Sequence, residues 1–152
     1  MSNSYSVVFK PSTWREFKAM PSKALGFRLT LETSLKNVEI GDVLVCYLAE
    51  RMTWCGVLKV ASKPYKSPEH IYAKKHGLPV IVEVDPIRIL DEEAEIPVKT
   101  KELWDSLERF RNVDHRVNGW AVNVGLIRSL RKLSSKDAQT LQSFLLGASE
   151  RL

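Results

Sequence analysis

A mixed α+β domain, built as a curled sheet or small barrel with short interspersed helices, is the fold class that this sequence predicts. Three observations carry the prediction. The chain has 152 residues, the size of one compact domain. Its apolar runs are short and rich in β-branched and aromatic residues, and the two strongest, at 40–49 and 52–61, sit at hairpin distance. Cap and stop signals for short helices separate the runs, in the order strand, helix, long connection, hairpin, helix, strand, helix, strand, helix.

Residues 5–10 (Tyr-Ser-Val-Val-Phe-Lys) read as an opening strand that Pro11 ends. Thr13 and Glu16 have the spacing of a capping box, which predicts a helix over 14–20 that Pro21 stops. The stretch 22–37 is open: Phe27, Leu29 and Leu31 alternate with Arg28, Thr30 and Glu32, as in a strand, but a loop with buried anchors fits equally. The near-continuous apolar run at 40–49 fits a strand buried on both faces. Gly56, inside the partner strand at 52–61, points to a bulge or a close approach by another backbone. Ser67, Pro68 and Glu69 provide a cap, a first-position proline and an acidic first turn, and Gly77 is placed to end the resulting helix after His76. Residues 79–90 form a strand broken or bulged at Pro86, and 91–96 an acidic loop. Thr100 can cap a helix whose stripe is Leu103, Trp104, Leu107 and Phe110. A short strand is predicted over 120–124. Ser134 and Asp137 cap a closing helix with Leu141, Phe144 and Leu145 on one face, ended by Gly147.

Composition narrows the class. At 44% hydrophobic and 27% charged, the chain is neither disordered nor fibrous. No apolar run reaches the ~18 residues of a membrane helix, and the first residues lack a basic stretch followed by an apolar one. A single soluble, cytoplasmic domain spanning 1–152 is therefore expected. The net charge is +5, which permits a polyanionic partner without requiring one. It is unevenly spread. Lys59, Lys63, Lys66, Lys74 and Lys75 fall within 59–76, and a second basic stretch covers 109–136, whereas 83–95 is acidic.

No catalytic constellation stands out. Cys46 and Cys55 are the 2 cysteines, and both lie in apolar strands, where a free thiol acts as a small hydrophobe. His70 and His76 lack the three- or four-residue spacing that puts two ligands on one helical face, and His115 falls in a polar stretch. The glycines are scattered and form no phosphate-cradling loop. Neither a cofactor nor a metal is expected. The 4 tryptophans are the notable feature. Trp104 belongs to a helix stripe, whereas Trp14, Trp54 and Trp120 sit at element edges beside basic or polar residues. An aromatic face in such a setting can hold an unstacked base, at about 1–3 kcal/mol per stack.

These residues resemble a known family. Residues 5–14 (Tyr-Ser-Val-Val-Phe-Lys-Pro-Ser-Thr-Trp) look like the opening strand and following tryptophan of EVE domains. The run Val38 to Leu48, with Gly41 and Asp42 at its turn, is similar to their Gly-Asp strand, and Gly56 to Lys66 to the next strand and its Pro-Tyr exit. Trp120 to Val124, then Ile127 to Ser134 with Asp137, resemble their closing strand and final capped helix. The ordered set spans nearly the whole chain. EVE domains belong to the PUA-like superfamily and are related to YTH domains. The resemblance implies a small mixed β-barrel of about five to six strands flanked by short helices. It also implies a non-catalytic module that reads a modified nucleobase, such as methylated or hydroxymethylated cytosine, in DNA or RNA.

Carried onto this chain, the resemblance places Trp14 and Trp120 near the base pocket. Tyr47 lies on the Gly-Asp strand, Tyr65 in the Pro-Tyr exit, and Ser62 before it, within reach of a base edge. Trp54 and Asn123 complete the candidate pocket. Lys63, Lys66, Arg116, Arg128, Arg131 and Lys132 are the candidate phosphate contacts. Lys66, Ser67 and Pro68 stand where family members often carry an acid, and Ala121 where they often carry glycine. A flipped base costs a few kcal/mol, which stacking and edge hydrogen bonds must offset. The chain would lack a nuclease of its own, so a nuclease partner would be encoded separately. Two other functions stay open from the residues alone: an enzyme acting on modified nucleic acid, and a small-molecule or protein-interaction module using the same pocket.

Overall fold

The computed structural model describes residues 2–110 and 130–147. Strand β1 (Ser4–Phe9) leads directly into helix α1 (Pro11–Ala19). Proline occupies the first helical position, where a missing N–H costs nothing and φ is preset. The helix therefore starts earlier than expected and no capping box forms. Thr13 is buried within the first turn, and the Glu16 carboxylate pairs with Lys75 at 3.0 Å instead.

The open stretch resolves into three pieces. β2 (Ala24–Phe27) is a strand, followed by a 3-10 turn at Leu29–Leu31 and one turn of helix, α2 (Glu32–Leu35). β3 (Val43–Leu48) and β4 (Thr53–Val60) form the expected hairpin. Its register shifts between Cys46 and Tyr47, which pair with Gly56 and Trp54 and leave Cys55 as the extra residue of a bulge. Gly56 also meets a close approach: a Cβ there would stand 3.0 Å from the Arg88 carbonyl oxygen and 3.0 Å from the Trp14 ring.

Next come β5 (Tyr65–Lys66), helix α3 (Ile71–His76) and β6 (Val80–Ile89). Helix α3 starts later than Ser67 and Pro68 predict. The Ser67 amide donates to the Pro79 carbonyl at 2.8 Å, tying this residue into extended backbone. His70 caps instead, its Nδ1 accepting the Tyr72 amide at 3.2 Å. Gly77 ends the helix in the left-handed region at φ 67°. β6 bulges beside Pro86, where Ile87 is the unpaired residue between Pro86 and Arg88.

The acidic segment is a 3-10 turn (Glu92–Ala94) leading to β7 (Ile96–Pro97). Helix α4 (Lys101–Ser106) follows Thr100, whose hydroxyl donates to the Pro97 carbonyl at 2.7 Å rather than accepting a helix amide. β8 (Leu130–Lys132), a strand that the sequence pattern does not announce, precedes helix α5 (Ser135–Leu146). Here the expected cap forms: Ser134 Oγ accepts the Asp137 amide at 3.1 Å. The strand predicted over 120–124 lies outside the described residues.

The strand order is β2-β6-β4-β3-β1-β8, with β5 added on β6 and β7 on β4. All these neighbours are antiparallel except β1 and β3. Side chains of β3 alternate between two cores. Leu44, Cys46 and Leu48 join one with Trp14, Phe17, Leu25, Phe27 and Leu35; Val45 and Tyr47 join the other with Trp54, Leu103, Trp104, Leu141 and Leu145. The sheet is thus buried on both faces, as its continuous apolar run predicts. One face is covered by α1 and the curl onto β2 and β6, the other by α4 and α5. No described helix is long and apolar enough to cross a membrane.

Candidate nucleic-acid interface

A groove of about 620 Å³ lies between two segments that are far apart in sequence. One wall carries Glu32 from α2 and Lys36, Val38, Glu39 and Ile40 after it; the other carries Lys63, Pro64, Tyr65 and Lys66. Buried Val38 and Val80 anchor it to the core.

Local hydrogen bonding holds each wall. Tyr65 and Lys66 pair with Ile81 and Val80 of β6. Ser62 Oγ accepts the Glu83 amide at 2.9 Å and donates to the Lys63 carbonyl at 3.1 Å, which fixes the entry to β5. On the opposite wall the buried Asp42 carboxylate accepts two amides, from Glu39 and Asn3, each at 2.9 Å. Gly41 takes φ 96° and donates its amide to the Val60 carbonyl at 2.9 Å, a backbone conformation that favours glycine. The Tyr5 hydroxyl donates to the Asn37 carbonyl at 3.3 Å, tying this wall to β1.

The groove combines apolar surface with positive charge. Tyr65 is 42% exposed and Ile40 62% exposed. Three ammonium groups, of Lys36, Lys63 and Lys66, face two carboxylates, of Glu32 and Glu39. The Lys66 ammonium pairs with Glu32 at 3.1 Å. The Tyr65 phenol is held above its usual pKa, first by partial burial and then by the Glu83 carboxylate, with which it hydrogen-bonds. Such a surface suits an anion bearing a flat or apolar part.

The two thiols lie away from the groove, in the core. Cys46 and Cys55 are both buried, and the Cys55 thiol donates to the Cys46 carbonyl at 3.5 Å. Burial pushes both thiols up, away from the reactive thiolate. Among the described residues, no cluster of three or more His, Cys, Asp or Glu converges as a metal site.

The groove brings together three of the residues singled out in the sequence, Lys63, Tyr65 and Lys66, with Ser62 at its edge. It does not include Trp14, Tyr47 or Trp54. Trp14 is 2% exposed and packs against Phe9 and Phe17, with ring centroids 5.0 and 5.1 Å away. Tyr47 and Trp54 are buried on the opposite face of the sheet, edge to face at 5.2 Å. The indole N–H groups of Trp14 and Trp54 are buried without a hydrogen-bond partner among the described residues, so packing alone holds these rings. Arg131 and Lys132 lie on β8, which pairs with β1; the Arg131 carbonyl accepts the Ser6 hydroxyl at 3.4 Å. Trp120, Asn123, Arg116 and Arg128 lie outside the described residues. Sequence reasoning missed Lys36 and Ile40, whose one signal was an exposed cation and an apolar residue flanking the Gly-Asp turn.

Several solved structures share this architecture. Human THYN1 protein in complex with 5-methylcytosine-containing DNA has a TM-score of 0.62 at 14% identity, covering 94% of this chain and 97% of that one. A complex of the YTH domain-containing protein mmi1 with RNA has a TM-score of 0.66 at 10% identity, covering 99% and 85%. The YTH domain of the Zygosaccharomyces rouxii MRB1 protein, in complex with N6-methyladenosine RNA, has a TM-score of 0.57 at 9% identity, covering 95% and 86%. No protein-family model and no curated protein matches the chain. At these identities the likeness is one of fold. The small mixed barrel implied by the EVE resemblance is observed as a curled, half-barrel sheet with short helices, and YTH domains, which that resemblance named as relatives, share the fold.

Proposed function

We propose that this protein is a non-catalytic nucleic-acid-binding module that recognises a modified nucleobase, with the groove beside β5 contacting the strand. The observation that carries the reading is the groove itself: an exposed Tyr65 ring set among Lys36, Lys63 and Lys66. A strand laid here would stack a base or sugar on Tyr65 and Ile40 and place phosphates near the ammonium groups, which position the strand but carry no sequence information. The shared fold supports the reading, since the similar chains are held with 5-methylcytosine-containing DNA and with N6-methyladenosine RNA. The buried, protonated thiols favour a reader over a thiol-based enzyme.

Charge neutralisation tests the groove assignment. Lys36→Gln and Lys63→Gln should weaken binding to modified and unmodified oligonucleotides alike, and each should lower the single-strand salt slope by about 0.7. Unchanged affinity and slope in the double variant would remove the groove from the interface.

A further inference from the structure

The two walls of the groove are joined by one ion pair, Lys66 on β5 with Glu32 on α2, at 3.1 Å. Both side chains keep considerable solvent access, 60% and 38%, so the pair can exchange partners. Glu39 adds a second carboxylate to the wall that carries Glu32. Lys36 and Lys63 lie in the same groove, and no described carboxylate pairs with either of them within ion-pair distance. A strand entering the groove thus meets ammonium groups of two kinds: two open ones, and one already held by a carboxylate of the protein.

We propose that Glu32 is a built-in competitor for the ligand phosphate at Lys66, so that strand binding exchanges the Glu32–Lys66 pair for a phosphate–Lys66 pair. This rests on the nucleic-acid reading of the groove. The exchange has a physical consequence. A phosphate at Lys66 must displace the carboxylate and lie near its freed charge, so the gain is smaller than for an open lysine. An exposed pair of this kind contributes about 0.2–1 kcal/mol, which corresponds to about 1.4- to 5-fold in affinity. Glu32 therefore lowers sequence-independent backbone affinity. A larger share of the discrimination is left to contacts with the base, which is what a selective reader requires.

A double-mutant cycle tests this with short unmodified single-stranded oligonucleotides, followed by fluorescence anisotropy across a range of salt concentrations. Glu32→Gln should tighten binding about 1.4- to 5-fold at low salt and steepen the salt slope by up to about 0.7. Lys66→Gln should weaken binding, and in that background Glu32→Gln should give little or no gain. Asp105→Asn removes one carboxylate from an exposed pair on α4, Lys101 with Asp105 at 2.9 Å, and serves as the charge-matched control; it should change nothing. The proposal is overturned if Glu32→Gln gives no gain, or if its gain is the same with and without Lys66, which would mark a general field effect. If wild type and every variant fail to bind any oligonucleotide, modified or not, the reading of the groove falls and the competitor role falls with it. Wild-type binding with an inert Glu32 overturns the competitor role alone.

Discussion

Tyr72 lies directly over Gly26. A Cβ at position 26 would stand 2.7 Å from Tyr72 Cβ, and the Tyr72 hydroxyl donates to the Ala24 carbonyl at 2.8 Å. This pair seats α3 on β2, and the segment leading into α3 carries β5 and one wall of the groove. The absence of a side chain at Gly26 is thus what lets the helix reach the sheet.

Gly26→Ala should accordingly destabilise the protein by about 1–3 kcal/mol, the ordinary range for overpacking a tight contact. Denaturant unfolding measures the loss. Hydrogen exchange should show added opening in 62–79 beyond the global change. Wild-type stability in the variant would mean that α3 shifts without cost.

Trp14 and Tyr65 should separate stability from binding. Trp14 is buried among Phe9 and Phe17, so Trp14→Ala should cost about 3–5 kcal/mol of stability. Tyr65 is 42% exposed on a two-residue strand, so Tyr65→Ala should change stability by less than about 0.5 kcal/mol. The same change should weaken oligonucleotide binding by about 5- to 150-fold, the equivalent of one lost stack. Calorimetry and anisotropy on the two variants check both halves.

The buried thiols should be silent in the native state. Cys46 and Cys55 are 0% exposed with thiols pushed up by burial, so a thiol reagent should label neither until the chain unfolds. Rapid labelling of folded protein would show that the hairpin opens locally.

Alkali should unfold the protein in a defined window. Burial pushes the Tyr47 phenol up from 10.0 to about 12, and burial likewise raises Tyr72. The folded state then holds its phenol protons more tightly than the unfolded chain. This contribution to stability is fully present below pH 10 and is lost as pH rises from 10 towards 12. Tyr47→Phe should flatten that decline while leaving the part due to Tyr72. A stability curve flat from pH 9 to 12, measured by urea titration, would contradict this.

Much of the fold was legible because β3 and β4 announce themselves. Their apolar residues are continuous, and both faces of that sheet are buried. Helix α5 was equally clear, since Ser134 and Asp137 carry a local cap that the structure uses. β8 was not, because Leu130, Arg131 and Lys132 have no strand pattern; they are extended only through pairing with Tyr5, Ser6 and Val7 of β1. β2 was ambiguous because Gly26 contributes no side chain to the pattern, and its state is decided by β6. The starts of α1 and α3 differ from those expected because Pro11 presets φ at the first helical position, with no side-chain cap, and because His70 rather than Ser67 caps α3. In the groove, Lys63, Tyr65 and Lys66 were visible as a basic, aromatic exit from a strand. Lys36 and Ile40 were not, since only tertiary packing brings their segment opposite β5. The exposure of each aromatic was beyond sequence as well: Trp14, Tyr47 and Trp54 are core, whereas Tyr65 faces solvent.

Selectivity for a modified base is measured most directly by a competition titration of the wild-type protein. Matched DNA and RNA oligonucleotides would differ only at one base, unmodified, 5-methylated, 5-hydroxymethylated or N6-methylated. The expected result is a preference of at least about tenfold for one modified base, the equivalent of about 1.4 kcal/mol, with Tyr65→Ala weakening that complex. Equal affinity for every modified and unmodified member of the set would contradict the account.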